Sequence, residues 1–152
     1  VQTIILNSLD ELPTVLEGVA AQFRRADYTG AFEREIAPEL AEQHAEYFAS
    51  ATDPFGAPWA PLAPSTIARK GHDTILIDTK AMANSIVSQN SPNHVQHISR
   101  QEMNWGSADE KLPFHQFGTS RMPARPPVGV TEAGANRIAE ITADATVEIL
   151  KR

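Results

Sequence analysis

Ser85–Ser107, SIVSQNSPNHVQHISRQEMNWGS, decides what kind of fold this chain takes. Before it the apolar residues recur at helical spacing, and here the period shortens toward two. SIVSQN and HVQHISR flank the turn residues SPN and read as the two strands of a hairpin. QEMNWGS offers a third strand, with Met103 and Trp105 on one face. Ile86/Ser88 and Val95/His97 against His94/Gln96/Ile98 alternate only in part, so the register is left open. A strand also sends His94 and His97, three residues apart, to opposite faces, where they cannot share a metal.

Working outward, DTILIDTKAMANSIV precedes this stretch. Asp78 or Thr79 is expected to start a turn of helix there, with Met82 and Ile86 four apart. Farther upstream ATDPFGAPWAPLAPSTIARKG has prolines at 54, 58, 61 and 64, which forbid long regular structure. Phe55, Trp59 and Leu62 are too apolar to hang free, so this loop is expected to pack back on the body. Ser65 is read as the cap of a short helix ending at Gly71.

Two helical stretches come first. Ser8 or Asp10 can cap one that carries Leu9, Leu12, Val15, Leu16, Val19, Ala20 and Phe23 on one face, broken by DYTG around Gly30. The second puts Phe32, Ile36, Leu40, His44, Tyr47 and Phe48 on a stripe, and Pro38 inside it predicts a kink or a new start at Ala37. Its glutamates read as a solvated face. Downstream of the sheet, ADEKLPFHQFG predicts a short helix stopped at Gly118. Thr131 then caps an amphipathic C-terminal helix with Ile138, Ile141, Ala145 and Ile149. The sum is an α+β fold, a small antiparallel sheet packed with N-terminal and C-terminal helices. A helical region over 1–52 precedes an α+β core over 53–152, most simply within one compact unit.

With 152 residues, 41% hydrophobic and 21% charged, the chain has the composition of a soluble globular domain. The absence of cysteine removes disulfides, thiolate zinc sites and cysteine nucleophiles. A net charge of −6 argues against a dedicated DNA binder. No run approaches the roughly 18 apolar residues of a membrane span. VQTIILNSLDEL lacks a signal peptide's basic start and cleavage site, so a protein kept inside the cell is expected.

Enzymatic signals are weak. Ser65 or Ser120, His115 and Asp78 would supply a Ser/His/Asp trio, but nothing resembles a nucleophile elbow. Both phosphate-binding glycine motifs are missing. No enzyme activity, cofactor or metal is expected. Arg69, Lys70, Arg121 and Arg125 form the one local positive set, flanked by Trp59 and Phe117. Either this set faces DNA backbone or acidic neighbours, or it pairs with some of the chain's nineteen acidic residues. Phe55, Trp59, Phe114 and Phe117 stand among prolines, and a stiff loop loses little entropy on docking, which suits protein–protein contact.

Three segments in order carry a family resemblance: WAPLAPSTIARK at 59–70, ILIDTKAMANSI at 75–86 and HQFGTSRMPARPPVGV at 115–130. The set resembles the Mu-like phage virion morphogenesis family, whose members are also called tail completion proteins. The likeness covers about residues 55–150. Lys80 stands where that family commonly has glycine, Met82 where it often has leucine, and Pro127-Val128 where Phe-Leu is usual. The resemblance implies a structural, non-enzymatic phage or prophage protein working as a tail completion or terminator component at the head–tail junction. It implies ring assembly as a homo-oligomer, phage tail and neck proteins as partners, and a virion location after assembly in the host cytoplasm. A head-side neck adaptor is the alternative, as is a DNA-contacting protein lining the head–tail channel through Arg69, Lys70, Arg121 and Arg125. On this reading Trp59, Arg69, Lys70, Phe117, Arg121 and Arg125 are the candidate interaction residues. GTSRMPARPPVG becomes either a contact to a subunit or partner, or a cover for the sheet with Arg125 paired inside its own subunit.

Overall fold

The computed structural model describes residues 9–151 and has an α+β architecture. A 3-10 turn, Leu9–Glu11, leads into helix α1, Leu12–Arg25. Pro13 sits in the first turn, where no intrahelical donor is lost. Of the two expected caps, Ser8 lies outside the described residues, and Asp10 falls within the 3-10 turn without capping α1. The break comes earlier than Gly30. The Asp27 carboxylate accepts from both the backbone N–H and the hydroxyl of Thr29, and this local turn competes with the helix.

Helix α2, Thr29–Ala31, passes through a π-helical turn, Phe32–Ile36, into α3, Ala37–Ser50. Pro38 explains the π turn. It has no N–H to give, and its ring would strike the carbonyl four residues back, so one extra residue loops out and Ala37 bonds to Phe32. The new start at Ala37 is the one the sequence predicts.

Helix α4, Pro64–Lys70, is entered from Ala63 and ends at Gly71 in the left-handed region. Ser65 therefore lies inside it, because Pro64 already serves as its first residue. Helix α5 covers Ala81–Val87, and this corrects the reading of the decisive stretch. Ser85, Ile86 and Val87 are helical. The four-residue step from Met82 to Ile86 governs there, and both residues are buried along with Ala83 and Ser85. The Ser85 hydroxyl donates to the Met82 carbonyl, as helical serines do.

The hairpin consequently moves down the chain. Strand β1, His94–Ile98, pairs antiparallel with β2, Met103–Ser107, in the register His94↔Ser107, Gln96↔Trp105 and Ile98↔Met103. The sheet has these two strands among the described residues. The inward face holds His94, Gln96 and Ile98 opposite Ser107, Trp105 and Met103, while Val95 and His97 face out.

Helix α6, Leu112–Phe117, stops at Gly118. Helix α7, Glu132–Leu150, is capped by the Thr131 hydroxyl accepting from Gly134 at 2.9 Å. Ile141 from α7 joins Ala31 and Ile36 in a core that Phe32, Leu40, Met103, Ile138 and Ala145 complete. Ile86 is fully buried, and α5 packs against both α3 and the hairpin. Burial of such an aliphatic side chain contributes about 2–3 kcal/mol. Buried on α3, His44 lies 4.6 Å from Trp105 and 5.2 Å from Tyr47, ring centre to ring centre.

Candidate functional site

The proline-rich segments form one unit. Trp59 is buried, donates its indole N–H to the Pro126 carbonyl at 3.1 Å and packs edge-on against Phe48. Arg125, 5% exposed, answers from the other segment. Its Nε donates to the Ala60 carbonyl at 2.6 Å and its Nη2 to the Pro61 carbonyl at 2.8 Å. The Gln116 amide brackets Val128, donating to its carbonyl at 2.9 Å and accepting its N–H at 3.2 Å. Prolines suit this clasp because they fix φ and leave few donors to satisfy.

Two glycines permit its close approaches. Gly118 has φ 72°, and a Cβ there would stand 2.7 Å from the Ala124 amide nitrogen. A Cβ on Gly129 would meet the Pro54 ring at 2.7 Å. Gly129 also donates to His44 Nε2 at 3.3 Å, while His44 Nδ1 lies 2.6 Å from the Leu40 carbonyl. With Nε2 accepting, Nδ1 must carry the proton, so the buried ring is the neutral tautomer. Not all of the proline region packs back as expected. Phe55 is 86% exposed, because it sits at the tip of a turn whose amides bond to the Asp53 carboxylate.

Beside the clasp lies a groove of about 640 Å³. Its cationic lining is Arg69 and Lys70 from the end of α4, Lys80 before α5, Lys111 before α6, and Arg121 and Arg125 from the proline segment. Asp78 is the one carboxylate among its lining residues. The structure therefore brings Arg69, Lys70, Arg121 and Arg125 to one place, as their sequence grouping suggests. Trp59 lies beneath, inside the clasp, and Phe117 stands 81% exposed at the end of α6. Pairing with the chain's own acids is not how these cations are accommodated. Among the described residues, ion pairs form on Arg24, Arg100, Arg137 and Lys151, and on none of the groove cations. Lys70 instead donates to the Thr74 carbonyl. Sequence grouping missed Lys80 and Lys111, which are far from the arginines in the chain. The one available hint was Lys80 standing in a glycine position.

The groove lowers the pKa of His115. Burial does most of this, with the Arg125, Lys111 and Lys70 charges adding to it and Asp109 opposing. Burial likewise lowers the pKa of His44 from its ordinary 6.5, against the opposing hydrogen bond to Leu40. For both rings the unfolded chain binds a proton at a pH where the folded chain does not. Their contribution to stability is thus complete above about pH 6.5 and is lost as the pH falls below it toward the folded-state values. Urea midpoints should drop as the pH is lowered from about 7.5 to about 5.5, and the drop should shrink in His44→Phe. A midpoint flat across that range would contradict this.

A small α+β protein with a stiff proline clasp beside a cation-lined groove is the class that fold and site define. Its sequence matches the model of the phage virion morphogenesis family over residues 8–146, and the chain belongs to that family. The match takes in α1 to α3 as well as the three motif segments. The protein therefore serves in bacteriophage virion morphogenesis. No curated protein and no solved structure gives a match. No helix among the described residues is long and apolar enough to cross a membrane. Nor do the described residues bring together three or more potential metal ligands.

Proposed function

We propose that the protein is a structural component that completes the phage tail at the head–tail junction, working by homo-oligomeric assembly into a ring and without catalytic turnover. The carrying observation is α1. It has an apolar face, yet none of its residues is buried among the described ones. Leu16 is 57% exposed, Phe23 43%, and Leu12 is exposed as well. An isolated fourteen-residue helix is marginal in water, so packing of such a face is what stabilises it. A neighbouring subunit would cover this one. Family membership supports the setting, a virion under assembly in the host cell, with tail and neck proteins as partners.

Deletion of the gene from a phage genome that carries it tests the role. Electron microscopy of the lysate should show filled heads and separate tails, joined again when the protein is supplied from a plasmid. Intact virions in the deletion lysate would overturn the reading.

A further inference from the structure

The groove holds positive charge that the chain leaves uncompensated. Six cationic side chains line it against a single carboxylate, on a chain whose net charge is −6. Arg125 is the telling member. It is nine-tenths buried, and its hydrogen-bond partners are two carbonyls with no carboxylate in ion-pair range among the described residues. A buried charge without a counter-charge is costly, and an arriving anion would relieve that cost.

Backbone strain points to the same place. Leu76 and Lys80 both line the groove with positive φ, 57° and 63°. A non-glycine residue in that conformation costs about 1–3 kcal/mol. At Lys80 the strain keeps a cation at the groove where a glycine would be relaxed and neutral.

The rest of the lining says which anion. Leu62, Leu76, Ile77, Met82 and Met122 make it apolar between the cations, and two methionines let it adapt to varied side chains. No Phe, Tyr or Trp lies among the lining residues, so a single strand of nucleic acid would find no aromatic face for its bases. Duplex DNA carries its phosphates on the outside of a stiff rod, and its apolar thymine methyls lie on the floor of the major groove, away from the phosphates, so it cannot place apolar groups between these cations. The volume suits a compact ligand or a few peptide residues.

We propose that this groove is a docking site for an extended acidic peptide segment of a partner protein, its carboxylates held by the flanking cations and its apolar side chains seated between them. The site does not depend on ring assembly, and its test is read on the chain whatever its mass.

Fluorescence anisotropy would follow a short labelled peptide of alternating glutamate and leucine titrated with the full-length protein. Binding should weaken at least about tenfold between roughly 50 and 200 mM salt, since the contacts are ionic and partly exposed. It should fall about tenfold or more in Arg69→Ala/Arg121→Ala. Both arginines are exposed, so the fold should be kept, and circular dichroism checks that. A glutamine–leucine peptide should not bind, and a glutamate–serine peptide should bind more weakly. Absence of binding by the glutamate–leucine peptide would overturn the proposal, as would unchanged affinity in the folded double variant. Equal binding of the glutamate–serine peptide, or displacement by inorganic phosphate or a single-stranded oligonucleotide at comparable concentration, would also overturn it.

Discussion

Arg125→Ala should lower the unfolding free energy by about 3 kcal/mol. The substitution leaves the Ala60 and Pro61 carbonyls without their donors and removes the side chain that fills the space between the two proline segments. One effect opposes this, because the variant no longer buries a guanidinium. That relief is the smaller term: guanidinium is weakly hydrated, and its two charge-assisted hydrogen bonds contribute about 1.5–3 kcal/mol each. Arg125→Lys should recover only part of the loss, since an ammonium cannot fork to two carbonyls in fixed geometry. Urea denaturation at neutral pH reads all three proteins. An Arg125→Ala midpoint equal to that of the parent would mean the clasp does not hold the segments together.

Trp59→Ala should be at least as damaging, with a loss of about 4 kcal/mol. The indole is buried against Phe48, its N–H satisfies the Pro126 carbonyl, and its own amide donates to Ala51 at 2.8 Å. The backbone bond survives substitution, but a cavity opens where the indole stood and the Pro126 carbonyl is left without its donor. Trp59→Phe separates the two, keeping most of the apolar bulk and losing the indole donor, and should cost about 1–2 kcal/mol. Near-equal losses in the two variants would show that the hydrogen bond, and not packing, dominates. Because Trp59 and Arg125 belong to one clasp, their effects should not add in the double variant.

Apart from the second half of α5, the helices are legible in the sequence because their signals are local. Pro38 announced the restart at Ala37, Thr131 the start of α7, and Gly71 and Gly118 the ends of α4 and α6. The hairpin forms one strand later than expected: HVQHI and MNWGS are strands where the sequence places them, but SIV belongs to α5, whose Met82-to-Ile86 step outweighs its β-branched residues. The register stays open in the sequence because the inward face presents His94 and Gln96 while Val95, 39% exposed, points out. His94 is tolerated inside because its Nδ1 bonds with the Ser85 carbonyl at 3.0 Å and its ring meets Trp105 edge-on. Such pairing is tertiary and leaves no periodic trace.

The groove was half legible. Arg69, Lys70, Arg121 and Arg125 come from two short clusters and so were seen together, whereas Lys80 and Lys111 reach the same place only through the turns before α5 and α6. The clasp role of Arg125 was one of two open readings, because a sequence does not show which carbonyls lie within reach of a guanidinium. In the sequence His44 is one position on the apolar stripe of a helix. Its contact with Gly129 joins residues 85 apart.

Assembly through α1 is the claim on which the functional account turns. Light scattering over a concentration series, on the parent and on Leu16→Glu/Phe23→Glu, tests it most directly. Both side chains are exposed, so the variant should stay folded. The account predicts a discrete oligomer for the parent and a folded monomer for the variant. A parent that stays monomeric at every concentration, or a variant that assembles as the parent does, would contradict it.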